Sequence, residues 1–418
     1  MKSSKRVMWI AALSAVASFW TLGISPVSAQ TTTVQLWHVF NLETDMIHAA
    51  IKRWNEANPT VQIDAKVLPF AQLTNQLARA VATGDVPDLI TINNPDNVGF
   101  ALQGTLEDLT PLVQRSKVID PKQYTSFRWS TVSWRGKIFG VPRESNTLAL
   151  YYNADLFKAK GLDPAKPPRT WAELRAAAEK LTDSSKSIYG LGYSAIQSDE
   201  GSFQFLPVLY QSGASLNTLR SPEAVQALTY WADLMKSGFV SRDALTRRQY
   251  DVTNTFMAGN AAMVITGPWE LPRVSKEVKF DWRVTTLPVR DGKNIEASAI
   301  GGFNWAVPKG AKNRDAAFRV IEFMSQPQQV QSAWPSGRMP ATNITLTNPE
   351  WPQAYAVFTK QMQSARPLGP HPQWPEISRA LQTAIQEALT GVATPQQALD
   401  KAAGIVEPIL QKTPVDSL

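Results

Sequence analysis

Residues 261–269 read AAMVITGPW, a short apolar run that stops abruptly at a Gly-Pro-Trp turn. The β-branched pair Val264 and Ile265 favours an extended, buried segment, while Gly267 and Pro268 end it and set the direction of the backbone that follows. The stretch therefore predicts a core strand that delivers Trp269 to a sheet edge. In an open α/β sheet that edge overlooks the ligand crevice. A tryptophan placed there can lie on the C–H face of a sugar ring while neighbouring polar groups bond its hydroxyls, or it can plug the core of its own half of the molecule. The stretch alone leaves both readings open.

The pattern to either side is that of an alternating α/β chain. Residues 33–39 read as a strand and 44–56 as a helix, with Ile47, Ala50, Ile51 and Trp54 at helical spacing and Asn58-Pro59 as its end. A strand at 61–67, a helix at 72–82, a Gly84-Asp85 turn and a strand at 88–92 complete a β-α-β-α-β start, which argues for parallel strands with helices on both faces. Strands are expected at 137–141 and 148–152, separated by the polar segment 142–147, and again at 188–193 and 282–287. Thr170 and Glu173 are spaced as a capping box for a helix at 171–181. Ser221-Pro222 opens a further helix that Gly238 ends, and residues 313–334 read as helix with a break at Pro327. A helix at 377–389 closes at Gly391, and Thr394-Pro395 starts the last one.

The chain of 418 residues contains no cysteine, so disulfides, thiolate metal sites and cysteine nucleophiles are all excluded. Its length favours two domains, or one with large insertions. Residues 1–29 combine Lys2, Lys5 and Arg6 with an apolar run from 7 to 24 and the small-residue end Val27-Ser28-Ala29, which reads as a cleavable secretory signal peptide. The expected mature protein begins at Gln30, carries no lipid-bearing cysteine and is free and soluble outside the cytoplasm. The formal charge of +7 includes the three cations of that leader, leaving a mild excess spread along the chain. The densest basic cluster, from 242 to 248, is interrupted by Asp243, Ala244, Leu245 and Thr246 and reads as a solvated helix face, not a nucleic-acid surface.

Four stretches together resemble the bacterial extracellular solute-binding proteins of family 1, the capture components of ATP-binding-cassette sugar importers. They are Gly84-Asp85-Val86-Pro87-Asp88; Gly140-Val141-Pro142 leading to Tyr151-Tyr152-Asn153-Ala154-Asp155-Leu156-Phe157; Phe256-Met257-Ala258-Gly259-Asn260-Ala261-Ala262-Met263 running into Gly267-Pro268-Trp269; and Gly301-Gly302 with Val307-Pro308-Lys309. The resemblance implies an α/β periplasmic-binding-protein fold of two lobes joined by several chain crossings, with the ligand held between them. On that pattern the N-terminal lobe takes 30–145 and 302–349, and the C-terminal lobe 146–301 and 350–418. It also implies a saccharide ligand, a permease as partner, a monomer, no cofactor and no catalysis.

The family pattern places ligand contacts at the end of the first strand, where His38 stands, and in the loop after the second, where Phe70 stands. It continues with Asn94 and Asp96 after the third strand, Asn146 and Thr147 at the first crossing, Trp269, and Gly301-Gly302, whose bare backbone lets a ligand approach. Arg338, in Gly337-Arg338-Met339-Pro340, stands where relatives present an aromatic or small residue. It can fork onto vicinal hydroxyls or grip an anion. Arg366 and Trp374 are further candidates from the second lobe. The three histidines lack metal-ligand spacing. No G-x-S-x-G, P-loop or H-E-x-x-H is present, and Gly190-Leu191-Gly192-Tyr193-Ser194-Ala195 matches a dinucleotide fingerprint only loosely. A secreted glycoside hydrolase remains the competing class, because its carboxylate pair comes from distant positions. Within binding proteins the expectation is a neutral or anionic saccharide, with a sugar phosphate or glycerol-phosphate-type ligand as the alternative.

Overall fold

The computed structural model describes residues 31–40, 46–347, 350–368 and 371–413, so the expected leader and the start of the expected first helix lie outside the described residues. Two main sheets, with apolar clusters packed against them, organise the chain beside the two-stranded ribbon of Ser133–Trp134 and Lys137–Ile138. The first runs, edge to edge, through Met339–Pro340, Val141–Asn146, Ser298–Ala306, Leu89–Asn93, Thr32–His38 and Val61–Val67. Its opening follows the alternation read from the sequence. Thr32–His38 pairs in parallel with both Val61–Val67 and Leu89–Asn93, and the helices Ile47–Ala57 and Phe70–Thr83 connect them. The parallel expectation ends there, since Ser298–Ala306 is antiparallel to Leu89–Asn93 and to Val141–Asn146.

The second sheet is small and wholly antiparallel, with Ala149–Asn153 between Met263–Thr266 and Trp282–Thr285. Met263–Thr266 is fully buried, as its apolar run demands, and the Tyr151 hydroxyl donates to the Gly267 carbonyl at 2.9 Å, pinning the turn that follows. The strand expected at 188–193 is absent as a strand. Only isolated bridges form there, Ile188 to Asp183 antiparallel and Tyr189 to Ala261 and Gly192 to Val264 parallel, and a Cβ at Gly190 would stand 1.9 Å from the Ala178 carbonyl oxygen, since this backbone is packed against a helix.

Two further departures decide where the site forms. The polar segment 142–147, expected to separate strands, lies largely within the strand Val141–Asn146, whose Glu144, Ser145 and Asn146 are buried between two neighbouring strands. Pairing on both sides overrides the weak propensity of these residues. The nine-residue strand Ser298–Ala306 carries no strand signal in the sequence, where Gly301-Gly302 reads as bare backbone open to a ligand, yet both glycines lie in mid-strand. Gly302 has φ +138, and a Cβ there would meet the Glu144 carbonyl oxygen at 2.3 Å; one at Gly301 would meet Asn146 Oδ1 at 2.6 Å.

This strand belongs to both halves of the molecule. Phe303, Trp305 and Val307 pack into the core around the first sheet, whereas Ala297 and Ala299 pack into the core of the other half, and Ser298 to Ile300 pair with Ala365–Pro367. The chain also passes between the cores around Asn146, since Val141 belongs to the first and Leu148 to the second. Helices of the second half form as their signals require. Thr170 accepts from the Glu173 N–H and caps Trp171–Leu181, and Thr394 with Gln397 forms a capping box on Pro395–Lys412. Asp199–Gln211, capped by Ser198, is a helix the sequence pattern did not announce.

Candidate functional site

A cavity of about 790 Å³ lies between the two halves. The first half contributes the loop after Val61–Val67, where Pro69 turns the chain and Phe70 begins a helix. The Phe70 ring meets Phe303 edge-on at 6.0 Å and the two face the space, with the buried Phe40 ring backing Phe303 at 5.1 Å. Opposite stand Phe203, from the second turn of Asp199–Gln211, and Trp269, their centroids 6.4 Å apart. Trp269 sits directly behind the Gly-Pro turn. A Cβ on Gly267 would lie 1.9 Å from its ring, so only glycine lets the indole fold back to this position.

The floor is the crossing region. Asn146, Gly301, Gly302 and Arg338 border the cavity together. Asn146 pairs with Gly301 and Ser145 with Gly302 across the ladder, and the Asn94 N–H donates to the Gly302 carbonyl at 3.0 Å. Gly337, at φ +71, is packed so closely on the Pro268 carbonyl that a Cβ would come within 2.0 Å of it, which ties the Arg338 turn to the Trp269 turn.

The charged groups are interleaved. Arg273 donates two bonds to Glu270 Oε2, at 2.6 and 3.0 Å, and a third to Asn254 Oδ1 at 2.8 Å, and its guanidinium lies 3.5 Å from the centre of the Tyr250 ring. Arg338 stands 4.0 Å from Glu144 and 4.9 Å from the Phe40 ring centre. Arg248 pairs with Asp251 at 3.0 Å. Burial pushes the Glu270 carboxyl up to about 6, although Arg273 and Arg338 both pull it down. Desolvation therefore outweighs two nearby cations. Burial, with the Asp199 charge adding to it, raises Asp96 well above the usual carboxylate range; burial also raises Asp199, against the pull of the Ser378 hydroxyl.

Of the residues singled out in the sequence, Phe70, Asn146, Trp269, Gly301, Gly302 and Arg338 converge on the cavity. The others stand behind it or apart. His38 is fully buried, its Nδ1 accepting the Phe40 N–H at 3.2 Å and its ring edge-on to His48 at 5.1 Å. Asn94 and Asp96 are buried under the rim that Asn93 and Pro95 form. Thr147 is buried at the crossing, where its hydroxyl donates to the Ala299 carbonyl at 2.8 Å. Arg366 is exposed over the Tyr210 ring, and Trp374 is in the core of the second half.

The cavity also draws on residues the sequence reading passed over, namely Asp199, Glu200, Phe203, Arg248, Tyr250, Glu270 and Arg273. Ser198-Asp199-Glu200 is an N-cap followed by two acids, the one local signal for this helix, and no apolar periodicity follows it in a helix buried nearly all round. The basic cluster read as a solvated helix face is a single 3-10 turn, Arg242–Leu245, and Arg248 beyond it turns toward the cavity. Among the described residues no group of three His, Asp or Glu could hold a metal ion, and no helix is long and apolar enough to cross a membrane.

A family model described as bacterial extracellular solute-binding protein matches residues 42–331. Among curated proteins, a putative binding protein of Brucella abortus (strain 2308) is 24% identical over 391 residues, covering 89% of this chain and 92% of its own length. The sn-glycerol-3-phosphate-binding periplasmic protein UgpB of Salmonella typhimurium is 26% identical over 409 residues, covering 89% of this chain and 91% of its own. A solved ABC transporter solute-binding protein from Thermotoga lettingae, bound with alpha-D-tagatose, superposes with a TM-score of 0.82 at 27% identity, covering 91% of this chain and all of that one, 100%. A maltose-bound T. maritima protein superposes with the same TM-score of 0.82 at 22% identity, over 91% of this chain and 100% of its own, a likeness of fold.

Proposed function

We propose that this chain, which belongs to the bacterial extracellular solute-binding proteins, captures a saccharide between its two lobes and hands it to an ABC permease. The observation that carries this reading is the cavity itself, with Trp269 and Phe203 on one wall and Phe70 and Phe303 on the other. Flat rings on opposed walls suit a ligand with apolar faces and hydroxyl edges, which is the description of a sugar ring. Asn146 and the bare backbone at Gly301-Gly302 supply donors and acceptors for those hydroxyls. The tagatose bound by the Thermotoga relative supports the same class of ligand.

The lobes in this reading are 30–145 with 302–349, and 146–301 with 350–418, and the ligand touches both. A ligand that contacts both walls binds the closed arrangement better and shifts the population toward it. The protein acts by binding, without catalysis, outside the cytoplasm after removal of residues 1–29. The three arginines at the cavity, together with the relatives named for glycerol phosphate, favour a second reading in which the ligand is a sugar phosphate or glycerol-phosphate-type anion.

A thermal-shift screen of the mature protein against neutral sugars, sugar acids and sugar phosphates tests the proposal. Ligand in large excess over its dissociation constant stabilises the folded state by several kcal/mol, and a clear rise in Tm is expected with at least one saccharide. No rise with any of them would sink it.

A further inference from the structure

The second reading turns on whether the three arginines at the cavity are available to an anion, and Arg248, the most exposed of them, already pairs with Asp251 at 3.0 Å. Arg273 is held in a closed arrangement, with two bonds to Glu270, one to Asn254 and its face over Tyr250. Arg338 has a side chain only 16% exposed; it lies over Phe40 and faces Glu144, whose side chain is 3% exposed. Arg338 also lies near enough to Glu270 to act on its carboxyl. Glu144, Arg338, Glu270 and Arg273 thus form a row of alternating sign from the first sheet across the floor to the second lobe.

An anion arriving at such a row finds each guanidinium already facing a carboxylate. It must displace a buried partner, or add a negative charge beside the buried carboxyls of Glu144 and Glu270, and both are costly. A hydroxyl suffers neither penalty, because it adds no charge and can donate to Glu270 or accept from Arg338 and Arg273, which border the cavity. We propose that Glu144 and Glu270 are specificity-determining residues that keep Arg338 and Arg273 charge-compensated and so restrict the cavity to uncharged saccharides. This rests on the saccharide-binding reading and decides between its neutral and anionic forms. Glu144 acts through Arg338 as a positioning residue, while Glu270 borders the cavity itself.

The test is calorimetric titration of the mature protein with glucose, mannose, maltose and cellobiose, each beside its uronate and its 6-phosphate. In every set that binds, the neutral member is expected to bind about tenfold tighter or more, and Glu144→Gln to narrow that ratio by about tenfold. Should Glu144→Gln fail to fold, Glu270→Gln carries the same comparison. A wild-type protein that binds the anion as tightly as its neutral counterpart overturns the inference and leaves the saccharide reading standing. A ratio unmoved in a folded variant overturns it as well. No binding to any member, by a protein that melts cooperatively, removes the saccharide reading and this inference together.

Discussion

Glu270 is where a single side chain carries most consequence. Its carboxyl titrates at about 6 in the folded chain against an ordinary 4.5, so between those values the folded state holds a proton that the unfolded state has released. Stability therefore falls as pH rises through that window, by about 2 kcal/mol from this group, and is regained on acidification. Asp96, Asp199 and Glu200, all raised by burial, push the same way. The carboxyls held low, Asp108, Asp183 and Asp281, lose their contribution only as pH falls below about 3.8, outside the window. His371, whose burial lowers its pKa from the ordinary 6.5, opposes the four raised acids by losing stability as pH falls through the window, one group against four. Urea unfolding should show greater stability at pH 5 than at pH 7, and Glu270→Gln should flatten that slope; a protein weaker at pH 5 would contradict the assignment. Charged groups facing Glu270 are Arg273 and Arg338, with Tyr151 behind it. Beside it, Trp269→Ala is expected to weaken saccharide affinity by about 1–3 kcal/mol with folding intact, as read by titration calorimetry and circular dichroism. Trp269 was legible because a Gly-Pro turn behind an apolar strand leaves few places for the ring. Glu270 was not, because one acid after a tryptophan has no pattern until Arg273 and Arg338 are seen around it.

Elements with strong local signals were readable from sequence, and elements made by tertiary pairing were not. The helix Pro395–Lys412 is fixed by Thr394 and Gln397 at its start, and Thr394→Ala should cost about 1 kcal/mol in urea unfolding. The strands Val141–Asn146 and Ser298–Ala306 carry polar residues and a glycine pair where a strand wants β-branched side chains, so their identity comes from the neighbours that clasp them. Gly302 shows the cost of that arrangement. Any Cβ at φ +138 is strained, and here it also meets the Glu144 carbonyl. Gly302→Ala should destabilise the protein by about 2–4 kcal/mol in equilibrium unfolding, with saccharide affinity reduced in the fraction that folds. A neutral outcome would mean that the ladder between residues 144 and 302 is looser than drawn. The same reasoning explains the absent strand at 188–193, where two glycines leave bridges but no ladder.

At the scale of the whole molecule, capture requires that the two lobes approach when a sugar is bound. Small-angle scattering should record a smaller radius of gyration with saturating saccharide than without it, and a bound protein no more compact than the free one would argue against closure. The alternating start of the chain made the parallel part of the first sheet legible, but the strand shared between the halves was not, since nothing local says that residues 298–306 belong to both. That strand bears on how the protein is assembled in time. Until Ser298–Ala306 is in place, Leu89–Asn93 and Val141–Asn146 have no neighbour to join them, and the first sheet remains two separate fragments with bare edges. Contacts this distant along the chain make folding slow, and exposed edges recruit other strands. A nascent or truncated chain that ends before Ser298 is accordingly expected to aggregate, and the full chain to be a slow folder that depends on being kept apart from its copies until its last third has been made.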